Sequence, residues 1–384
     1  MMAEIGSDVG LNTNVNVGNK VFHVQTATLN HKNIVKSEIY EHGKILTVFE
    51  YTFDELGLSN NSRHEDLRQL VSEIHQEKIG DIEMLFDMSQ KIRTVKHSVS
   101  NNKMGLVFLN WNMLKEAIEE FELAITHDAN YVDAYNNMGR AYIEMGEYPK
   151  ALESLKKANN LNANYPDVHN NLGVAYMESG EYDLAFTEFN EAVRINEKFY
   201  EAYINTALAL IRYAKNAEEG YENSPKFYEQ LLKNIKTAFE ILSGENIQAY
   251  QRIYKSIQLK QYEVAAFLLV DLKKHMHRER SIVNITDLFY LKFMFGGEGK
   301  NDSTIFRYER LLLERLKHTP QYADLHNSLG ILHIIQCRNF FLKAIEDFKH
   351  AIEINSKYDG ARKNLKLAEN DGRGFLILLR AILK

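Results

Sequence analysis

NNMGRAYIEMGEYPKALESLKKA at residues 136–158 is followed by NNLGVAYMESGEYDLAFTEFNEA at residues 170–192, with the same pattern of glycine, alanine and aromatic residues. The frame extends upstream, so that Gly105, Gly139 and Gly173 occupy equivalent places 34 residues apart. A fixed period of this length predicts a protein of stacked repeats. It also shifts the expected function from catalysis towards binding of another molecule.

Each unit of the frame predicts a pair of helices joined by a short turn. Large apolar residues follow each glycine at +16, and alanines follow at +12 (Ala117, Ala151, Ala185) and +19 (Ala124, Ala158, Ala192). Small residues let two helices cross closely, while the large side chains fill the remaining space. The segments MGEYP (145–149) and SGEYD (179–183) read as the turns between the helices.

This frame resembles the tetratricopeptide-repeat family, whose pattern has small residues at positions 8, 20 and 27 of a unit. The resemblance implies a mainly α fold, a right-handed α-solenoid superhelix of helical hairpins. Carried along the chain, the register predicts about seven repeats plus a cap helix over 98–371, the seventh at 323–358. Longer turns are expected at 213–225 and 295–303. They are either loops that determine binding specificity or insertions that the fold tolerates without a function.

Residues 20–97 predict a small α+β module that caps the first repeat. Three β-rich runs within 20–53 indicate a three-stranded antiparallel sheet with a turn at His42-Gly43. A helical pattern begins at Ser62, and Gly80 is expected to split it into two helices. The preceding residues, 1–19, are expected to be a disordered tail. The alternative is that the module is a separate docking domain.

Candidate partner-binding residues lie on the first helices of repeats two to four. Asn137, Asn171 and Asn205 share position 6 of the frame, which the family places on a concave groove. In the family such asparagines hold extended peptides, including in the sugar transferase that modifies serine and threonine. Asparagine at this position also bonds locally, so a purely structural role stays open. The full set of candidates is Asn136, Asn137, Arg140, Asn170, Asn171, Glu178, Asn205 and Leu208.

Composition restricts the class of protein. The chain of 384 residues is 45% apolar and 26% charged, ordinary values for a soluble protein. Its formal net charge of -6 disfavours nucleic acid as a partner. No signal peptide or apolar run of about 20 residues is visible, which indicates a cytoplasmic protein without a transmembrane segment. The single cysteine, Cys337, is expected to be buried.

No catalytic, metal or cofactor set is expected from the residue spacing. The histidines of the C-terminal third lack metal-ligand spacing; they are His275, His277, His318, His326 and His333. The leading hypothesis is therefore a non-enzymatic scaffold that binds a peptide or protein in the groove of its repeats. One alternative is an accessory or regulatory protein whose N-terminal module docks a partner or hides an enzymatic role. The other is a structural protein that self-assembles through its apolar tail, 372–384.

Overall fold

A computed structural model of the chain describes residues 9–29, 32–53, 64–216, 224–242, 247–283, 323–356 and 359–369, with scattered residues between 291 and 317. The chain divides into two compact units, Met1–Ser281 and Ile282–Lys384. The first unit contains an N-terminal sheet, a long helix and five helical hairpins.

The N-terminal sheet has four antiparallel strands in the order β1-β2-β3-β4. They are β1 (Gly10–Val17), β2 (Lys20–Leu29), β3 (Ile34–Glu41) and β4 (Lys44–Thr52). The prediction of three strands is wrong, and so is that of a disordered tail for residues 10–17. Asparagine is depleted in strands, which makes GLNTNVNV read as a tail. Its asparagines alternate with residues that face the sheet's covered side, where Val15 is buried, so the segment is a half-buried strand.

The turn between β3 and β4 is the predicted His42-Gly43 pair. Both residues have positive φ, 49° and 77°, the backbone that a two-residue hairpin turn requires. Gly18, with φ 58°, occupies the turn between β1 and β2.

A single helix, α1 (His64–Val95), covers one face of the sheet. The expected split at Gly80 is wrong, because α1 runs through that residue. One exposed glycine costs a helix only about 1 kcal/mol, and the helix formers on both sides outweigh it. Apolar side chains fill the interface; they are Phe22, Val24, Val35 and Ile39 from the sheet and Val71, Ile74, Ile82 and Leu85 from α1. Ser62 lies outside the described residues.

Five helical hairpins follow α1 at the predicted register. Their helices are α2 (Ser98–Asn110), α3 (Leu114–His127), α4 (Val132–Met145), α5 (Tyr148–Leu161), α6 (Pro166–Glu178), α7 (Tyr182–Ile195), α8 (Tyr200–Asn216), α9 (Pro225–Ile241), α10 (Ile247–Gln258) and α11 (Tyr262–Val283). From α2 to α9 each helix packs on the next, and first helices of adjacent hairpins also touch. The longer turn of repeat four partly extends α8; residues 217–223 of it lie outside the described part.

The glycines of the frame lie where the two helices of a hairpin cross. A Cβ atom added to Gly139 would lie 2.5 Å from Cγ of Leu155, the residue at +16. The same holds for Gly105 against Phe121 and for Gly173 against Phe189, each at 2.5 Å. The glycine of the frame is therefore required by packing, because only a residue without a side chain fits at the helix crossing.

The C-terminal unit departs from the frame. Its helix α12 (Ala323–Ile354) runs unbroken through the segment predicted as the hairpin of repeat seven, so that prediction is wrong. After Gly330 no further glycine or proline interrupts this helix, and no described atom lies within 4 Å of a Cβ at Gly330. Residues 359–369, within the predicted cap, are helical. Cys337 is exposed, contrary to expectation.

The other C-terminal predictions fall on residues that the structure does not describe. Most of the predicted sixth repeat, the longer turn at 295–303 and the apolar tail at 372–384 belong to this group.

Candidate functional site

The asparagines of the first helices form a hydrogen-bonded row that crosses the repeats. Nδ2 of Asn137 donates to Oδ1 of Asn102 (3.0 Å), Asn171 donates likewise to Asn136 (2.9 Å), and Asn205 donates to Asn170 (2.7 Å). Every bond joins position 6 of one repeat to position 5 of the repeat before it. We call these six residues the asparagine ladder, and the side of α2, α4, α6 and α8 that carries them the ladder face.

Most of the ladder amides are buried, and each is bonded to an amide of the neighbouring repeat. Asn136, Asn137 and Asn170 are 6–7% exposed and Asn205 is 1% exposed, whereas Asn171 is half-buried. The predicted row therefore exists, but its bonds connect neighbouring repeats, which gives the asparagines a structural role. A primary amide has two N–H donors and an oxygen with two lone pairs. Each ladder amide thus retains capacity beyond its one inter-repeat bond.

Charged side chains flank the ladder on the same face. Arg140 donates to Oδ1 of Asn137 at 3.4 Å, and Arg212 of α8 pairs with Glu178 of α6 at 2.7 Å. Glu144 is exposed, yet the protein atoms around it raise the pKa of its carboxyl by desolvation, which Arg140 partly offsets.

At repeat four the ladder face is covered. Oδ1 of Asn205 accepts a hydrogen bond from Nζ of Lys273 on α11 at 2.6 Å. Burial lowers the pKa of Lys273, with only partial compensation from Glu201 and Glu178. Leu208, predicted to line the groove, is 2% exposed and belongs to the hydrophobic core.

At the other end the repeats meet the N-terminal module through a buried carboxylate. The side chain of Glu120, with 0% exposure, accepts bonds from Oγ of Ser89 (2.6 Å), Nε of Arg93 (3.0 Å) and Nδ2 of Asn101 (2.7 Å). Two pairs of aromatic rings join the same parts; they are Phe86–Phe108 and Phe49–Trp111, with centroids 5.6 and 5.4 Å apart. The module thus packs on the first repeat.

Family models match the segment that carries this geometry. A model described as "TPR repeat" matches residues 139–180, and two described as "Tetratricopeptide repeat" match 120–153 and 166–199. The chain contains tetratricopeptide repeats. The match covers 120–199, where the glycine frame is clearest and most of the ladder lies. No curated protein matches the chain in sequence.

Several solved structures are similar to part of this chain. MamA is 22% identical over 44% of this chain and 94% of its own, with a TM-score of 0.36. YrrB, titled a TPR protein with an unusual peptide-binding site, is 18% identical over 49% of this chain and 97% of its own (TM-score 0.33). The second TPR domain of human RPAP3, in complex with an HSP70 peptide, is 19% identical over 30% and 97% (TM-score 0.29). Scores below 0.5 establish neither the superhelix nor a function for this chain.

Three residues at the ladder face were not predicted from the sequence; they are Asn102, Arg212 and Lys273. Asn102 shares frame position 5 with Asn136 and Asn170, so the repeat spacing alone could have identified it. Arg212 and Lys273 carry no such signal, because their roles depend on where α8 and α11 pack.

Among the described residues, no three or more histidine, cysteine, aspartate or glutamate side chains come together in a way that could hold a metal ion. No helix in the described part of the chain is long and apolar enough to cross a membrane. His326 and His333 are exposed, and His333 lies 3.2 Å from Glu309. The side chains of His275, His277 and His318 lie outside the described part of the chain.

Proposed function

We propose that this chain is a cytoplasmic, non-enzymatic scaffold whose repeats form a right-handed superhelix and bind a peptide segment of a protein partner along the ladder face. The single observation that carries the proposal is the unused hydrogen-bonding capacity of the Asn171 side chain, which lies on a repeat matched by the family models. Its side chain is half-buried, and among the described residues its only hydrogen bond is the one donated to Asn136. The oxygen and the second N–H of this amide therefore have no bond to another described residue, which leaves them available to a peptide.

The chemistry of this face suits a peptide backbone. A peptide group offers one N–H and one C=O. A primary amide can accept a hydrogen bond from the N–H and donate one to the C=O at the same time. Arg140 and Glu144 stand beside the amides and supply contacts of either charge for partner side chains. The N-terminal module closes the first repeat in this proposal, since a terminal repeat without a cap exposes its apolar face.

A hidden catalytic unit in the N-terminal module is the weaker alternative. It requires an open polar cleft between the sheet and α1, and apolar side chains fill that interface. The few buried polar groups are bonded to one another, as in His75 with Thr26 (3.1 Å) and Thr13 (2.8 Å).

We expect the double change Asn137→Ala and Asn171→Ala to weaken partner binding about ten-fold or more, because each lost hydrogen bond costs roughly 1 kcal/mol. Partners would first be captured from the native cell extract. The bound segment would then be synthesised and its Kd measured by titration calorimetry.

The matched control is Asn102→Ala with Asn136→Ala. It breaks the same two ladder bonds from the acceptor side and leaves the position-6 amides in place. A Kd near that of the wild type in this control supports direct contact with the partner. Equal weakening in both pairs, or unchanged binding in the first, contradicts it.

A further inference from the structure

Helix α11 lies antiparallel along the ladder face of α8. Lys273 reaches Asn205 at 2.6 Å, and Glu263 pairs with Lys215 at 2.7 Å. The two contacts are ten residues apart on both helices and run in opposite directions. At 1.5 Å per residue, the helices stay side by side for about 15 Å.

The contact is a regular helix–helix seam rather than two isolated bonds. Residues spaced +3, +7 and +10 form one stripe on each helix; they are Asn205, Leu208, Arg212 and Lys215 on α8, and Glu263, Ala266, Val270 and Lys273 on α11. Leu208 is buried, and Ala266 and Val270 pack against the core that contains it. Arg212, the remaining member of the α8 stripe, pairs instead with Glu178 of α6. The seam is therefore apolar at Leu208, Ala266 and Val270 and polar at both ends.

The α8 stripe occupies the frame positions that are open in repeat two. Asn205, Leu208 and Arg212 are at positions 6, 9 and 13, which Asn137, Arg140 and Glu144 occupy on α4. Arg140 is half-buried and Glu144 is exposed, whereas Leu208 is 2% exposed. At position 9 the face is thus open on α4 and covered on α8, whereas at position 13 the Arg212 side chain stays 36% exposed.

We infer that α11 is an end wall of the ladder face, which it meets at Lys273, and that it restricts a bound segment to the first helices of repeats one to three. This inference rests on the proposed function for the identity of the occupant. Packed helices lie about 8–10 Å apart, so the two spacings between α2, α4 and α6 add up to roughly 16–20 Å. An extended chain advances about 3.3 Å per residue. The open face thus fits about five to six residues of an extended peptide.

Lys273 lies at the contact between α11 and the end of the ladder. Its ammonium group donates to Oδ1 of Asn205, the last amide of the ladder. In Lys273→Glu a carboxylate would meet that oxygen, and Glu178 and Glu201 would add repulsion. Lys273→Met keeps the apolar stem in the seam and leaves α11 in place. Lys274, the exposed neighbour, faces away from the seam.

The test measures access to the covered face and needs no partner. In a Cys337→Ser background, Leu208→Cys reports on the seam, and Leu172→Cys, 1% exposed in repeat three, reports on the core at large. Both thiols are labelled with a maleimide under native conditions. We expect Lys273→Glu to accelerate labelling at position 208 by about ten-fold or more, because opening is local. Labelling at position 172 should change less than about two-fold.

Lys273→Met and Lys274→Glu should leave the labelling rate at position 208 equal to that of the background protein. The inference is overturned by fast labelling at 208 in the background protein, by equal acceleration of both thiols, or by no effect of Lys273→Glu. Because no ligand takes part, these outcomes are independent of whether the ladder face binds a peptide.

Discussion

Replacing Glu120 by alanine is expected to lower the free energy of unfolding by about 2–4 kcal/mol. The Glu120 side chain is fully buried and accepts bonds from Ser89, Arg93 and Asn101. Its removal leaves the buried donors of Ser89 and Asn101 without this acceptor, so that they lose their hydration without compensation, whereas the exposed Arg93 keeps Glu119 as a partner. Because the donors belong to α1 and α2 while Glu120 belongs to α3, the change loosens the module from the first repeat.

The effect can be read from the single tryptophan of the chain. Trp111 is 7% exposed and packs on Phe49 of β4, so its fluorescence follows this interface during urea unfolding. Glu119→Ala is the matched control, because Glu119 pairs with the same Arg93 but its side chain is 60% exposed. An exposed pair contributes at most about 1 kcal/mol. Similar losses in the two variants would contradict a special role for the buried carboxylate.

The helical hairpins could be predicted because their determinants repeat at short range. A glycine and the large residue at +16 belong to one hairpin, and the contact of Gly139 with Leu155 needs no information from elsewhere in the chain. The first three hairpins, up to α7, follow this rule. Gly330 shows its limit: the glycine is present, but α12 lacks a turn-forming residue after it, so no second helix folds back.

The strand β1 was missed for a related reason. Local propensity of an asparagine-rich segment argues against a strand, but pairing with β2 and cover from α1 outweigh it. The alternation of asparagine with Leu11, Thr13, Val15 and Val17 was the available signal.

The candidate site was predictable in position but not in bonding. The repeat frame correctly groups Asn137, Asn171 and Asn205 on one face. It does not reveal the stagger between neighbouring repeats, which sets position 6 against position 5. Leu208 is covered because α11 packs near it, and the two segments are about 60 residues apart in the chain. The 34-residue frame carries no information about contacts at that separation.

Gly173→Val is expected to lower the free energy of unfolding by about 3 kcal/mol. A Cβ at this position would lie 2.5 Å from Cε1 of Phe189 and 2.6 Å from its Cδ1. The ring is rigid and fully buried, so it can make room only if α6 and α7 separate. Urea unfolding followed by the helical circular dichroism signal measures the loss. Hydrogen exchange should show it first in α6 and α7, and then in α5 and α8, since each repeat is stabilised by its neighbours.

The same substitution at Gly80 separates packing from helix propensity. Gly80 also lies in the interior of a helix, but no described atom is within 4 Å of its Cβ position. Valine is slightly better than glycine in a helix, so Gly80→Val should leave the free energy of unfolding unchanged or raise it by less than about 0.5 kcal/mol. A comparable loss at both sites would mean that valine itself disturbs these helices. A loss at Gly173 alone ties the glycine of the frame to the close crossing of two helices, the contact from which the whole register of repeats follows.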